Sequence, residues 1–150
     1  MSQSLAQLLI HIVFSAKGHY PFIEEAVESE LYAYIGDTIK RLGGVPIKIN
    51  GLSDHIHILS SMPKTVSLAK YLEEIKRNSS RWIKNKGGLY EKFAWQNGYG
   101  AFSVSASQRN TVVNYILNQK SHHKKMTFKE EMIAFLKKYQ VEYDERYLWD

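Results

Sequence analysis

There is no cysteine in this 150-residue chain. That excludes a disulfide scaffold and a thiolate zinc site, and it fits a reducing compartment. Proline is sparse, at three residues, and no linker rich in Pro, Gly or Ser, internal repeat or low-complexity tract divides the chain. The length then reads as one domain, 1–150. Long hydrophobic runs are missing as well. The apolar stretch Leu8–Phe14 is interrupted by His11 and is far too short to span a bilayer. The expected location is the cytoplasm, with no membrane partner. Acids are scarce in one region: Lys64–Lys92 holds eight basic residues against Glu73, Glu74 and Glu91. The formal charge of +5 and pI of about 9.3 tolerate a polyanionic partner without demanding one.

What is present reads as closely spaced elements. Leu5–Phe14 is apolar on both faces, as expected of a central or covered strand. Ser15–Pro21 is a loop. Glu24–Leu42 carries Val27, Leu31, Ile35 and Ile39 at helical spacing and is stopped by Gly43-Gly44. Val45–Asn50, the turn Gly51–Asp54 and His55–Ser61 predict a β-hairpin. After Pro63, Thr65 or Ser67 can cap a helix running to about Asn85, ended by Gly87-Gly88. A fourth strand is predicted at Gly100–Ser107, a helix from about Ser107 to His123, and an amphipathic helix from Thr127 to about Tyr139. The order βαββαβ plus two helices predicts an α+β, ferredoxin-like antiparallel sheet with additional C-terminal helices. Two helices cover one face; the other needs a ligand, the extra helices or a second subunit.

Asp54-His55-Ile56-His57-Ile58 places two imidazoles on one side of a strand, because residues i and i+2 share a face. Ile56 and Ile58 then point into the helix-covered core. Imidazole is the commonest side-chain metal ligand, and Asp54 can orient one ring or join the shell. Leu59 rather than a third histidine follows, which disfavours a His-x-His-x-His nucleotidyl transferase. No pair of His-x-Ser/Thr motifs occurs, which disfavours a phosphodiesterase.

Within Thr111–His122, residues Tyr115, Gln119 and His122 are i, i+4 and i+7. They fall at roughly 0°, 40° and −20° around a helix, a narrow polar stripe opposite Leu117. Such a stripe is a poor core face and a reasonable active-site face. A phenol with an ordinary pKa near 10 needs a polarised electrophile or a lowered pKa to act as nucleophile. A divalent ion on two histidines and one further ligand can polarise a phosphodiester, and the resulting phosphotyrosine conserves bond energy for strand transfer.

The Asp54-His-Ile-His57 pattern, followed by Lys76-Arg-Asn-Ser-Ser80, Trp95-Gln-Asn-Gly-Tyr-Gly-Ala-Phe-Ser-Val104 and Tyr115-Ile-Leu-Asn-Gln119, resembles the single-tyrosine HUH transposases of the insertion sequence 200/605 family. The resemblance runs from Phe14-Ser-Ala-Lys17, where the family often has Thr in place of Ala, to His122-His123. It implies a ferredoxin-like fold, a homodimer, Mg2+ or Mn2+, and recognition of single-stranded DNA hairpins. It further implies that His55, His57 and Gln119 are metal ligands and that Tyr115 is the nucleophile. His122 could assist or replace Gln119. In the family the tyrosine helix can serve the partner's site in trans.

On the helix ending near Asn85, Leu68, Leu72, Ile75 and Ile83 share one face, and Lys70, Arg77, Arg81 and Lys84 form a basic ridge opposite. A ridge of this kind can contact DNA phosphates or simply be solvated. Tyr90, Phe93 and Tyr99 can stack bases or plug the core; Trp95 is expected in the core. Tyr143, Tyr147 and Trp149 are expected to pack against the domain or a partner. Two alternatives share some of these features. One is a domesticated relative acting on repetitive extragenic palindromes. The other is a non-catalytic module gripping single-stranded nucleic acid through aromatics.

Overall fold

The computed structural model describes residues 2–123 and 125–150, the His122 side chain excepted. Four antiparallel strands form one sheet in the order β2-β3-β1-β4, with β1 Leu9–Ser15, β2 Pro46–Gly51, β3 His55–Ser61 and β4 Gly100–Val104. Helices α1 (Glu25–Arg41) and α2 (Leu68–Lys84) complete the ferredoxin-like βαββαβ pattern. The chain continues through α3 (Arg109–Leu117), α4 (Gln119–His122), α5 (Phe128–Lys138) and α6 (Glu145–Leu148).

Strand periodicity assigns the two faces of the sheet. Ile12 and Phe14 of β1 and Ile56 and Ile58 of β3 point to one side, where they pack with Leu31, Ile35 and Ile39 of α1 and Tyr71, Leu72 and Ile75 of α2. Burying each such isoleucine is worth roughly 1.5–3 kcal/mol. The opposite face carries Leu9, His11 and Val13 of β1, His55, His57 and Leu59 of β3, and Phe102 and Val104 of β4. It is covered from within the chain. Ile116 of α3 packs on Leu9, Leu59 and Val104, and Phe128, Met132 and Leu136 of α5 pack on Val13 and Phe102. The extra helices, one of the three expected ways of covering this face, thus pack on it within the chain.

Local chemistry accounts for the boundaries. Ser67, rather than Thr65, caps α2 by accepting from the Lys70 amide at 3.1 Å, and Thr127 caps α5 by accepting from Glu130 at 3.2 Å. At Gly51 an added Cβ would lie 2.2 Å from the His55 carbonyl oxygen, so the turn that launches β3 requires glycine there. The first strand is shorter than expected. Pairing with both neighbours begins at Leu9, and Leu5 is 87% exposed, because no partner strand extends far enough to pair with it. No helix among the described residues is long and apolar enough to cross a membrane.

The predicted continuous helix from Ser107 to His123 is interrupted at Asn118, where φ is −93° and ψ is 18°. The side-chain amide of Asn50 on β2 donates to the carbonyls of Ile116 (3.0 Å) and Leu117 (3.3 Å). These carbonyls would otherwise accept from the next helical turn, so an outside donor stabilises the break.

Candidate active site

The two β3 imidazoles are fully buried under α3, α4 and α5. His55 Nδ1 donates to Asp54 Oδ1 at 2.7 Å. Burial would lift the Asp54 carboxyl, but the hydrogen bond with His55 holds it below its ordinary value. The expected orienting role of Asp54 is therefore met by geometry. His57 Nδ1 shares a 2.8 Å hydrogen bond with His11 Nε2, which explains the histidine inside the apolar first strand. Burial, and the neighbouring His57, pull the His11 pKa down to about 3; burial likewise pulls His57 to about 4, opposed by its hydrogen bond to Glu131. Both rings are therefore held neutral.

The tyrosine helix meets this pair within the same chain. Gln119 Oε1 lies 3.1 Å from His55 Nε2. Tyr115 donates its hydroxyl hydrogen to Glu131 Oε2. Burial first, then the hydrogen bond and negative charge of Glu131, push the Tyr115 phenol well above its ordinary pKa. The structure thus brings His55, His57, Tyr115 and Gln119 to one place. No residue of a second subunit is needed to assemble them.

Glu131 of α5 was not anticipated. It is 1% exposed. Its Oε1 accepts from His57 Nε2 at 2.8 Å and from His123 Nε2 at 3.1 Å, and its Oε2 accepts from Gln119 Nε2 at 3.1 Å. Burial alone would raise its pKa; hydrogen bonds from His123 and His57 outweigh that and keep it far below the carboxylate range. A signal was available. Glu131 lies on the stripe of Phe128, Met132 and Leu136, where a solvated acid does not belong. His123, which was not singled out from the sequence, also reaches this site, its Nε2 lying 3.1 Å from Glu131 Oε1. On an unbroken helix His123 would sit about 80° around from Tyr115, and the interruption at Asn118 changes that relation. The His122 side chain lies outside the described residues.

The donor set suits a divalent cation. One ligand atom each from His55, His57, His123 and Glu131 lies within 4.8 Å of the others. Metal–ligand bonds of about 2.0–2.2 Å place neighbouring ligand atoms roughly 3.0–3.4 Å apart. Here His55 Nε2 to Gln119 Oε1 is 3.1 Å and His55 Nε2 to Glu131 Oε1 is 3.6 Å. The chemistry agrees. His55 gives its Nδ1 hydrogen to Asp54, which leaves Nε2 facing the side-chain oxygen of Gln119; both atoms can serve as ligands to a cation placed between them.

Beside Tyr115 a cleft of about 570 Å³ opens, lined by His11, Val112, Tyr115, Glu131, Phe135 and Lys138 among others. The remaining family-like motifs have structural positions. Lys76 of α2 donates to the carbonyls of Gln96 (2.8 Å), Asn97 (3.2 Å) and Gly98 (2.6 Å), and Trp95 Nε1 donates to Ser79 Oγ at 2.9 Å. Gln96 Oε1 in turn accepts from the Ser15 amide at 2.8 Å. Together these bonds anchor the loop entering β4 against β1. Tyr90, Phe93 and Trp95 are core residues, while Tyr99 is partly exposed next to Lys76. Trp149 packs on Phe128 and His19, while Tyr147, on the short α6, is 64% exposed. The ridge residues Lys70, Arg77, Arg81 and Lys84 are all exposed. Lys70 and Arg77 share Glu74, at 3.0 and 2.5 Å. Their helix covers the sheet face opposite the histidines, so the ridge and the site are on different layers.

Residues 4–119 match the family model described as "Transposase IS200 like". Among solved structures, a candidate transposase from Deinococcus radiodurans R1 superposes with a TM-score of 0.62 at 19% identity, covering 79% of this chain and 98% of that one. A REP-associated tyrosine transposase bound to a REP hairpin superposes with a TM-score of 0.59 at 16% identity, covering 82% of this chain and 74% of that one. At these identities the two structures show a shared fold. No curated protein matches the chain. The family match spans the histidine strand and the tyrosine helix alike, and on that ground the chain belongs to the IS200-like transposase family.

Proposed function

We propose that this transposase cleaves and rejoins single-stranded DNA at hairpin-marked ends through a 5′-phosphotyrosine on Tyr115. The observation that carries the reading is the convergence, in one buried cluster, of the Tyr115 hydroxyl with the imidazoles of His55 and His57 and the amide of Gln119. His55, His57 and Gln119 would hold Mg2+ or Mn2+, with Glu131 Oε1 on the same side. A cation bound there supplies Lewis-acid polarisation of the scissile phosphate.

The chain's own residues do the rest. Asp54 and His11 fix the ring orientations of the two β3 histidines. The cleft beside Tyr115 admits the DNA strand to the phenol, and Lys138 at its rim offers a phosphate contact. The phenol attacks phosphorus and releases a 3′-OH; a different 3′-OH later reverses the step at a new junction. Hairpin binding is supported by the hairpin bound to the REP-associated relative. The resemblance implies a homodimer; the cluster described here belongs to one chain, so each subunit would carry its own site. A domesticated role on repetitive extragenic palindromes would use the same chemistry on another target.

The deciding experiment incubates the protein with labelled single-stranded hairpin DNA and Mn2+, then looks for a covalent protein–DNA band on a denaturing gel. A non-catalytic binding module would retain the DNA but give no such band, with or without chelator.

Two further results are expected. Asp54→Asn removes the negative partner of His55, and loss of such a partner typically lowers metal affinity by about 10–100-fold. A Mn2+ titration followed by EPR checks this, and wild-type affinity would remove Asp54 from the site. Arg77→Glu with Arg81→Glu should weaken DNA binding and flatten the dependence of log K on log salt by roughly 0.7 per lost single-strand phosphate contact. An unchanged slope would leave α2 with a merely solvated face.

A further inference from the structure

We propose that Glu131 is the proton acceptor for Tyr115, its Oε2 taking the phenolic proton as the tyrosine oxygen attacks phosphorus. The assignment rests on the strand-transfer reading above and adds to it a group on α5, outside the family-matched segment 4–119.

The two oxygens of Glu131 face different partners. Oε1 is held by His57 Nε2 and His123 Nε2, at 2.8 and 3.1 Å. Oε2 receives the Tyr115 hydroxyl and the Gln119 amide. Three of these contacts fix the carboxylate while the fourth is the bond along which a proton would move. Geometry of this kind, with the acceptor already in hydrogen-bond reach of the nucleophile, is the first requirement of a general base. The neighbouring groups are poorer candidates. The Gln119 amide has no basic atom to take a proton. His55 and His57 turn their Nε2 atoms to Gln119 and Glu131 and their Nδ1 atoms to Asp54 and His11. No Lys or Arg forms an ion pair with Glu131 among the described residues, so no permanent cation ties up the carboxylate. Tyr115 and Glu131 both line the cleft of about 570 Å³, so an entering phosphodiester meets the nucleophile and its acceptor together.

The step balances. The Tyr115 O–H bond breaks and its proton passes to Glu131 Oε2. An O–P bond forms to the tyrosine oxygen, the P–O3′ bond breaks, and the departing 3′ oxygen takes a proton from solvent. In the rejoining step an incoming 3′-OH loses its proton to solvent and bonds to phosphorus. The tyrosine oxygen leaves and recovers its proton from Glu131.

The test uses the full chain with labelled hairpin DNA and Mn2+, measuring the single-turnover rate of adduct formation beside Mn2+ binding by EPR. Glu131→Gln keeps the side-chain shape and an oxygen toward the histidines but cannot take the proton. Its adduct rate should fall by about a hundredfold or more, the scale of a lost general base, and should stay low at saturating Mn2+. Glu131→Ala should be equally slow and should regain rate with added formate, which can occupy the vacated space as a substitute base. An adduct rate equal to wild type in Glu131→Gln overturns the assignment. So does a rate loss that tracks weakened Mn2+ binding and is restored by more Mn2+, since the carboxylate would then act through the ion. Absence of any adduct with the wild-type protein, under conditions where hairpin binds, fails the strand-transfer reading itself and takes this assignment with it.

Discussion

Tyr115→Phe is expected to abolish the covalent protein–DNA adduct while leaving hairpin binding intact. The substitution deletes one oxygen and keeps the ring, which packs edge-on near His57 and Phe135. Glu131 Oε2 loses one hydrogen bond but retains the Gln119 amide at 3.1 Å, so the expected stability cost is only about 1 kcal/mol. The chemical cost is total, because no phosphotyrosine can form without the phenolic oxygen. A denaturing gel and a parallel filter-binding assay separate the two effects. A covalent band from Tyr115→Phe would assign the nucleophile elsewhere and leave the half-buried phenol a structural group.

The second large effect is expected from His57→Ala. His57 is fully buried and joins β1 to α5, with Nδ1 toward His11 and Nε2 toward Glu131. Removing the ring deletes one candidate ligand and leaves two buried polar groups short of a partner, at roughly 1–3 kcal/mol each if water does not replace it. Mn2+ binding, followed by EPR, should be lost, and with it metal-dependent cleavage. His57→Asn, which keeps a polar group in the space, separates ligand loss from unfolding: it should restore the melting temperature more than it restores Mn2+ binding. Wild-type cleavage rates in both variants would remove the β3 histidines from the mechanism.

The arrangement also bears on substrate approach. α2 and its basic ridge lie on the sheet face remote from His55 and His57, whereas the cleft at Tyr115 opens beside α3 and α5. A DNA that contacts both must pass around an edge of the sheet. This separation fits a division between a sequence-independent phosphate grip and the reacting strand, and it lets Arg77 and Arg81 be altered without touching the chemistry.

Several features were legible from residue order because they depend on short-range periodicity. The two-residue strand repeat placed His55 and His57 together and sent Ile56 and Ile58 to the opposite core. The helical repeat placed Tyr115 and Gln119 on one side, and the break at Asn118 leaves that pairing intact. The hairpin, both main helices and the fate of Trp95 followed from the same local rules. His123 was not legible by those rules: the helix is interrupted at Asn118, ahead of it, where the Asn50 amide reaches over from a different strand.

By itself, then, the order of residues determined which side chains share a face of one element, since backbone geometry repeats every two or 3.6 residues. It could not determine which elements meet. Glu131 reaches His57 across 74 residues and His11 reaches it across 46, distances over which no local repeat carries information. Only packing of α5 against Val13 and Phe102 brought a carboxylate to the phenol, because burial of an apolar stripe decides where a helix docks, and the acid on that stripe is carried with it.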